Sequence, residues 1–539
     1  MNKKITVLVF ILLSIFIALT YESSTINPLI VNHPDYSNDM VEELLITTYH
    51  SDKNKGVYSY DELVANEGYN VDGKSIKIDV LLQEINGDKV CTSCYGYGLV
   101  TSNTKLSLRG QSSRKEEQKS YKLVINSDID SFKGEHILNL KKHAEDNTRI
   151  RNKLIFDLIK DIPNTLVPNT KFVHLTLRDL TNGTGKLEDL GLFTHHEQVD
   201  NDFFKRRGLD HKGNLYNINF FDFYRYKDVI MMKDDPLYSK KAFEELLEIK
   251  GSSDHSKLIA LLTALDSPLI PINQVINKYF DRDNYLTYLA VNMIVDNVDA
   301  SARNFKLYRP SDSEKWYFIF WDYDKTINLG SNSNDAWRKG IHLYMNDNLH
   351  KQFLSVESNR QELMQKMEEL KPYFSEEKIT NLLNEYKPVL EYYLTESVDA
   401  EYSDLTYSEV ESEMSQFYDN ILLNYDVFYE SILVPKAVFI GQFEKKTRYH
   451  ILTWSKSLDF NNEKILYDVK IARDPLFEDI VYEEIGLRDN QIVLFDFDPG
   501  NYFVSVDSIN ESNYRQPAFD NYTDRQKIKY FGVKNIVAE

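Results

Sequence analysis

The chain has 539 residues, 42% of them hydrophobic and 27% charged, with a formal net charge of −20. That composition predicts a sizeable buried core and, at ordinary domain sizes, about three domains. The acidic balance excludes a general nucleic-acid binder, which needs a basic face, but it leaves room for a local basic pocket that takes a polyphosphate.

Lys3 and Lys4 precede an apolar run from Ile5 to Leu19, followed by polar Tyr21-Glu22-Ser23-Ser24. A basic start and an apolar stretch of that length fit a signal peptide over residues 1–24. No small-x-small cleavage site follows, so an uncleaved anchor over residues 5–21 stays open. Both readings predict an exported chain whose contact with a membrane is limited to this segment. Residues 25–54 read as a polar linker carrying one short helix from Asn38 to Thr48.

From residue 55 to 235 the texture is strand-like. Ser75 to Leu82 alternates apolar and polar residues, as do Lys105 to Arg109 and the stretch after Lys119. Cys91 and Cys94 stand in Cys-Thr-Ser-Cys. In an exported chain this spacing predicts a small structural disulfide. A redox motif would need a thioredoxin-like βαβ pattern, and a zinc site would need two further ligands nearby. Arg109-Gly110-Gln111-Ser112-Ser113 is a Gly/Ser loop whose backbone N–H groups can cradle phosphate oxygens. It leads into Lys119-Ser120-Tyr121-Lys122-Leu123. Alternation puts Lys119 and Lys122 on opposite faces, so one of them points at a ligand and the sequence leaves open which. Asp146 to Ile162 reads as an amphipathic helix stopped by Pro163, and Lys171 to Leu177 and Gly191 to Asp200 read as strands.

From 236 to 434 the period changes to 3.6 residues. Helices are expected over Ala242–Ile249, Ser256–Leu265, Asp281–Val295 with Asp281 as N-cap, Val356–Leu370, Ser375–Leu394 and Tyr407–Leu433. Thr406 and Glu409 have the spacing of a capping box. After Pro435, short strands separated by polar turns predict a β-sandwich over 435–539. The fold class is therefore α+β: a strand-rich lobe, a helical lobe, and an all-β module.

One stretch interrupts the helical region. Asp296-Asn297-Val298-Asp299 runs through Asn304 into the strand Phe305–Tyr308. A polar turn follows, then the strand Trp316–Trp321, which ends on Asp322 and Asp324. A hairpin of this kind returns Asp322 and Asp324 to the loop holding Asp299 and Asn304. Such a set of hard oxygen ligands suits Mg²⁺. Asp-x₄-Asn followed by a strand-borne Asp is also the carboxylate pattern of phosphoryl-transfer sites.

Taken together, Arg109-Gly110-x-Ser112-Ser113 with Lys119-Ser120-Tyr121-Lys122-Leu123, Gly191-Leu192-Phe193 with Glu197-Gln198-Val199-Asp200, Asp296-Asn297-x-Asp299 with Asn304-Phe305-x-Leu307-Tyr308, and Trp321-Asp322-x-Asp324 resemble the CotH (spore coat protein H) kinase family. That family is an atypical branch of the protein-kinase-like fold. The chain departs from the family where a histidine usually precedes the Asn; here it is Arg303. The resemblance implies an atypical, ATP-dependent Ser/Thr protein kinase acting on a Ser/Thr-rich coat or cell-surface protein. It implies ATP with Mg²⁺ or Mn²⁺ as cofactors and an extracellular, cell-surface or spore-coat location. It further implies Asp299 as catalytic base, Asn304 and Asp322 as metal ligands and Asp324 as a second-metal candidate. Lys119 or Lys122 would meet the phosphates, with Arg109, Ser112 and Ser113 assisting and Glu197 bracing a lysine or the adenine edge. The last hundred residues resemble fibronectin type III domains. The alternative is a non-catalytic coat or surface scaffold attached through that β-sandwich. A glycan hydrolase would not need the upstream Arg/Gly/Ser/Lys motif. A metal-dependent phosphatase or nuclease would want more clustered His or acids.

Overall fold

A computed structural model describes residues 40–52, 55–67, 75–87, 89–110, 113–181, 185–327 and 340–538. The expected signal segment and Ser112 lie outside the described residues.

The strand-rich lobe is one eight-stranded sheet. Its strands are β1 (Val41–Thr48), β2 (Ile78–Asn86), β3 (Lys89–Val90), β4 (Thr104–Leu108), β5 (Tyr121–Ile125), β6 (Ile137–Lys141), β7 (Thr170–Asp179) and β8 (Leu187–Glu197). Their order is β1-β7-β8-β6-β5-β4-β2-β3, and β1 also pairs with β2, so the sheet closes on itself. Its inward positions are filled by Ile46, Val80, Leu82, Leu106, Leu123 and Leu175, all essentially inaccessible to water. The helix expected over Asn38–Thr48 is instead β1. Its Val, Leu, Ile and Thr residues lie parallel to β7, with Leu44 opposite Leu175 and Ile46 opposite Leu177, and antiparallel to β2. Both partners are distant in sequence, so local periodicity could not reveal them, and burial overrode the weak helical pattern. Cys91 and Cys94 form the expected disulfide.

The helical lobe follows the expected boundaries closely. Asp281 caps the helix Arg282–Ile294 by accepting from Asn284 N at 2.9 Å. Every residue of that helix from Asn284 onward is buried, so it runs through the centre of the lobe and does not lie on its surface. Ser375 caps the helix Glu376–Thr395, and Thr406 with Glu409 forms a complete capping box. Two boundaries differ. Ala242–Ile249 splits into a helix, Lys240–Leu246, and a strand, because Leu247–Ile249 finds a sheet partner. Tyr407–Leu433 breaks at Gln416 into two helices, Tyr407–Ser415 and Phe417–Leu433.

A second sheet, in the order β10-β9-β11-β12, carries the expected hairpin. Here β9 is Asn214–Ile218, β10 is Leu247–Ile249, β11 is Phe305–Arg309 and β12 is Tyr317–Phe320. The C-terminal residues form two facing sheets, one of three strands and one of five. Between them lies a core that includes Trp454, Tyr467, Val469, Ile471, Leu494 and Val504. No helix among the described residues is long and apolar enough to cross a membrane.

The strand lobe is tied to the helical lobe through Asp399, which is 2% exposed. Its carboxylate accepts from Leu192 N at 2.6 Å and Gln118 Nε2 at 2.7 Å, and pairs with Lys142 at 2.6 Å. Gly191 makes room for it: φ is +76°, and a Cβ there would lie 2.3 Å from a carboxylate oxygen. Gly191→Ala is therefore expected to lower the unfolding free energy by roughly 2–3 kcal/mol, combining left-handed backbone cost with displacement of a buried ion pair. Chemical denaturation checks this; a change below about 0.5 kcal/mol would contradict the role given to Asp399.

Candidate active site

The hairpin is set by packing and by backbone staples. Phe305 pairs with Phe320 in register, so Asn304 and Trp321 leave the ladder side by side. Asn284 anchors β12 to the central helix, its Oδ1 accepting from Phe318 N at 2.7 Å and its Nδ2 donating to Phe318 O at 3.2 Å. Tyr323 N donates to Asn152 Oδ1 at 2.8 Å, which fixes the turn holding Asp322 and Asp324. The Tyr288 hydroxyl donates to Ala300 O at 2.8 Å and steadies the Asp299 loop.

Three residues of this site adopt left-handed backbone: Asp296 at φ +50°, Asn304 at +53° and Asp322 at +65°. Asp and Asn visit this region more readily than other non-glycine residues. The residue types at 304 and 322 thus satisfy a backbone requirement as well as a chemical one. Non-glycine residues held there in a cleft mark a site where surrounding structure maintains strain.

Asp322 and Asp324 are both half-buried, and their electrostatics diverge. Burial pushes the Asp322 carboxyl up, but Lys141 and Arg109 outweigh it and hold Asp322 below the ordinary range. Lys141, the last residue of β6, makes an ion pair with Asp322. Asp324 has no such partner among the described residues; burial and the neighbouring Asp322 charge push it up to about 6. Arg109, at the end of β4, is lowered to about 10 by burial against the favourable pull of Asp322 and Asp324, and lies 5.8 Å from the Trp321 ring.

A row of polar side chains continues the wall. Glu248, Asn217 and Lys306 stand opposite one another on β10, β9 and β11. Asn217 accepts from Lys306 Nζ at 2.5 Å and donates to Glu248 at 2.9 Å. Lys306 lies 3.7 Å from the Trp321 ring centroid, and burial, then Lys250 and Arg109, drive its amine well below its ordinary value. Lys122 belongs to the same field: burial, Lys250 and Arg109 lower it. His196, fully buried, sets its ring edge-on to Trp321 at 4.5 Å and is kept neutral by burial and by Lys141 and Arg109.

The structure thus brings together Arg109, Lys122, Asn304, Asp322 and Asp324, with Asp299 on the adjoining turn within electrostatic reach of Lys325. Other expected residues lie elsewhere. Lys119 turns away: its ammonium donates to Arg114 O at 2.8 Å and meets Glu67 at 3.2 Å. Glu197 is wholly inaccessible and saturated by Arg206, by Arg207 at 2.7 Å and by Asn169 N at 2.9 Å, so it braces β8 and contacts no cleft lysine. Ser113 folds back onto Arg109 O at 3.2 Å, inside the turn that Gly110 makes possible with φ +88°. Sequence reasoning missed Lys141 and Lys306. The run Lys141-Lys142-His143 after an alternating stretch was a usable signal for the first. Lys306 inside the apolar strand Phe305-Lys306-Leu307-Tyr308 was one for the second.

Among the described residues no three His, Cys, Asp or Glu side chains converge as a closed metal cage. Two carboxylates and an Asn are the kind of sparse oxygen set that would suit a Mg²⁺ completing its shell with other oxygen ligands. The raised Asp324 supports the fit, because two buried acids side by side are the condition a divalent cation relieves. The folded-state value near 6 lies above the ordinary 3.8, so Asp324 costs stability above pH 6 and costs nothing below the ordinary value. Without divalent cations, Asp324→Asn is expected to be more stable than wild type at pH 7.5, by on the order of 2 kcal/mol. The gain should shrink as pH falls through 6 and vanish near 4, and wild type alone should be stabilised by added Mg²⁺. Thermal melts across pH measure both; a pH-independent difference would contradict this assignment.

Comparison with known proteins identifies the family. A family model described as CotH kinase protein matches residues 106–425, more than half of the chain. The inner spore coat protein H of Bacillus subtilis (strain 168) is 25% identical over 245 residues, covering 44% of this chain and 59% of that protein. The matched family segment runs from β4 into the helix Phe417–Leu433 and so contains Arg109, Lys141, Asp299, Asn304, Asp322 and Asp324. The chain belongs to the CotH kinase protein family.

Proposed function

We propose that this protein is a metal-dependent kinase that transfers the γ-phosphate of ATP to Ser or Thr hydroxyls of a coat or surface protein. One observation carries the reading: in a chain of net charge −20, Arg109, Lys141 and Lys306 lie within electrostatic reach of the hairpin acid Asp322, and Lys122 and Lys250 extend the same positive field. A polyphosphate needs such a cationic wall, and its metal needs such acids.

Phosphoryl transfer asks little covalent help of a protein, so positioning and charge dominate. Asn304, Asp322 and Asp324 would hold Mg²⁺ or Mn²⁺, which would supply positive charge to offset that of the phosphates. Lys141 takes the role first considered for Lys119 or Lys122, since its ammonium already meets Asp322. Lys122 and Arg109 add positive charge along the phosphate path. Asp299, half-buried on the turn before the hairpin, would accept the proton of the attacking hydroxyl. The name of the coat-protein relative and the basic-apolar start of the chain support export to a coat or cell surface.

The test is incubation of the purified chain with labelled ATP and Ser-rich acceptors, with autophosphorylation read in parallel. Asp299→Ala, Asp322→Asn and Lys141→Met are each expected to lower transfer at least about 100-fold. Lys119→Met should retain most of it. Asp322→Asn is the informative change at that position, because Asn keeps the left-handed backbone and removes only the charge. Wild type that neither binds nucleotide nor transfers label would overturn the kinase reading; label surviving these substitutions would overturn the roles.

A further inference from the structure

A second cationic cavity, lined by none of the hairpin residues, lies where the helical lobe meets the C-terminal sandwich. It has a volume of about 480 Å³ and is bounded by Ser267, Pro271, Lys351, Ser355, Lys436 and Lys456, among others. Its lining holds three lysines and no Asp or Glu. In a chain where acids outnumber bases by 83 to 63, a cavity with that balance is a departure from the surrounding surface.

Lys436 is the decisive residue. It is only 8% exposed, yet its ammonium has no hydrogen-bond acceptor or ion-pair partner among the described residues; it faces the Phe519 ring, 5.7 Å from the ring centroid. Burial, and then Lys351, lower its amine to about 8. A buried ammonium without a counter-charge is costly, and such groups are normally paired. Lys351 donates to the Tyr224 hydroxyl at 3.1 Å and makes no ion pair among the described residues, and neither does Lys456. A helix adds to the field: Ile272–Tyr279 begins at the cavity, its N-cap is Pro271, and no side chain caps it. Its first N–H groups and its dipole favour an anion at that end. Two independent features, a nearly buried unpaired lysine and an uncapped helix start, thus line one cavity.

We propose that this cavity is an anion site for a phosphate group, free or carried as a phosphomonoester, that binds between the helical lobe and the sandwich. Three lysines and a helix start lining one cavity suit the multiple acceptor oxygens of phosphate. The site takes ligands from both sides of the seam: Ser267, Lys351 and the helix start from the lobe, Lys436 and Lys456 from the sandwich. Occupancy therefore fastens the sandwich to the body.

The experiment uses the full chain without nucleotide. Inorganic phosphate and a phosphoserine peptide are titrated by calorimetry, and thermal melts are run alongside. Wild type is expected to bind and to melt higher with ligand. Lys436→Met and Lys456→Met should each weaken binding at least about tenfold. Lys436→Met should also melt higher than wild type in the absence of phosphate, since it removes a buried charge; this signature is independent of any ligand. Binding of the peptide but not of phosphate assigns a modified protein as the source, and equal binding assigns the free anion. Wild type that binds neither, or binding unchanged in both lysine variants, overturns the proposal.

Discussion

Two acids half-buried side by side cannot both stay ionised at low cost unless positive charge is brought to them. Asp322 and Asp324 meet that constraint unequally, and much of the molecule serves it. Asp322 holds its charge because β6 delivers Lys141 and β4 delivers Arg109. Asp324, given no ion pair of its own, is left short of compensation. The asymmetry follows from topology. The strand lobe supplies Lys141 and Arg109, and the helical lobe supplies the two acids. The site exists only while both lobes are docked, which is the task of the Asp399, Lys142 and Gln118 network.

The same constraint explains Lys306. It sits in the middle of an apolar hairpin strand, packed on Trp321 and bonded to Asn217. Nothing about strand formation calls for a lysine there, and its burial is destabilising on its own. It becomes intelligible as part of a field: Lys250, Lys122 and Arg109 supply one sign of charge, Glu248 and Asp322 the other. A phosphate-bearing ligand entering such a field meets fixed charge and needs little reorganisation of the protein around it.

Much of this was legible in the sequence. The hairpin, the Asp281 cap, the Thr406 capping box and the order of strand-rich, helical and sandwich regions follow from local chemistry and periodicity. The acids of the site were legible too, because Asp and Asn at left-handed turn positions and at strand ends leave a sequence mark. The cations were not. Whether Lys119, Lys122 or Lys141 reaches Asp322 depends on strand register across a sheet whose neighbours are far apart in the chain, and alternation alone gives only a choice between faces. Glu197 shows the converse: a plausible polar residue whose two arginine partners nine and ten positions on could be recognised only once the helix Asn201–Arg206 had turned them back.

The strand β1 carries a consequence for how the molecule forms. Its partner β7 lies 131 positions later. Until β7 exists, β1 can rest only on β2, and the ring of the strand lobe stays open with an apolar edge. Long-range parallel pairing is slow to nucleate because a large loop must close before any contact forms. A chain emerging from its N-terminus would therefore carry Val41–Thr48 as a sticky, half-satisfied segment for much of its synthesis. Ring closure is thus a late folding event, and the cleft, which draws Arg109 and Lys141 from that same sheet, cannot assemble ahead of it.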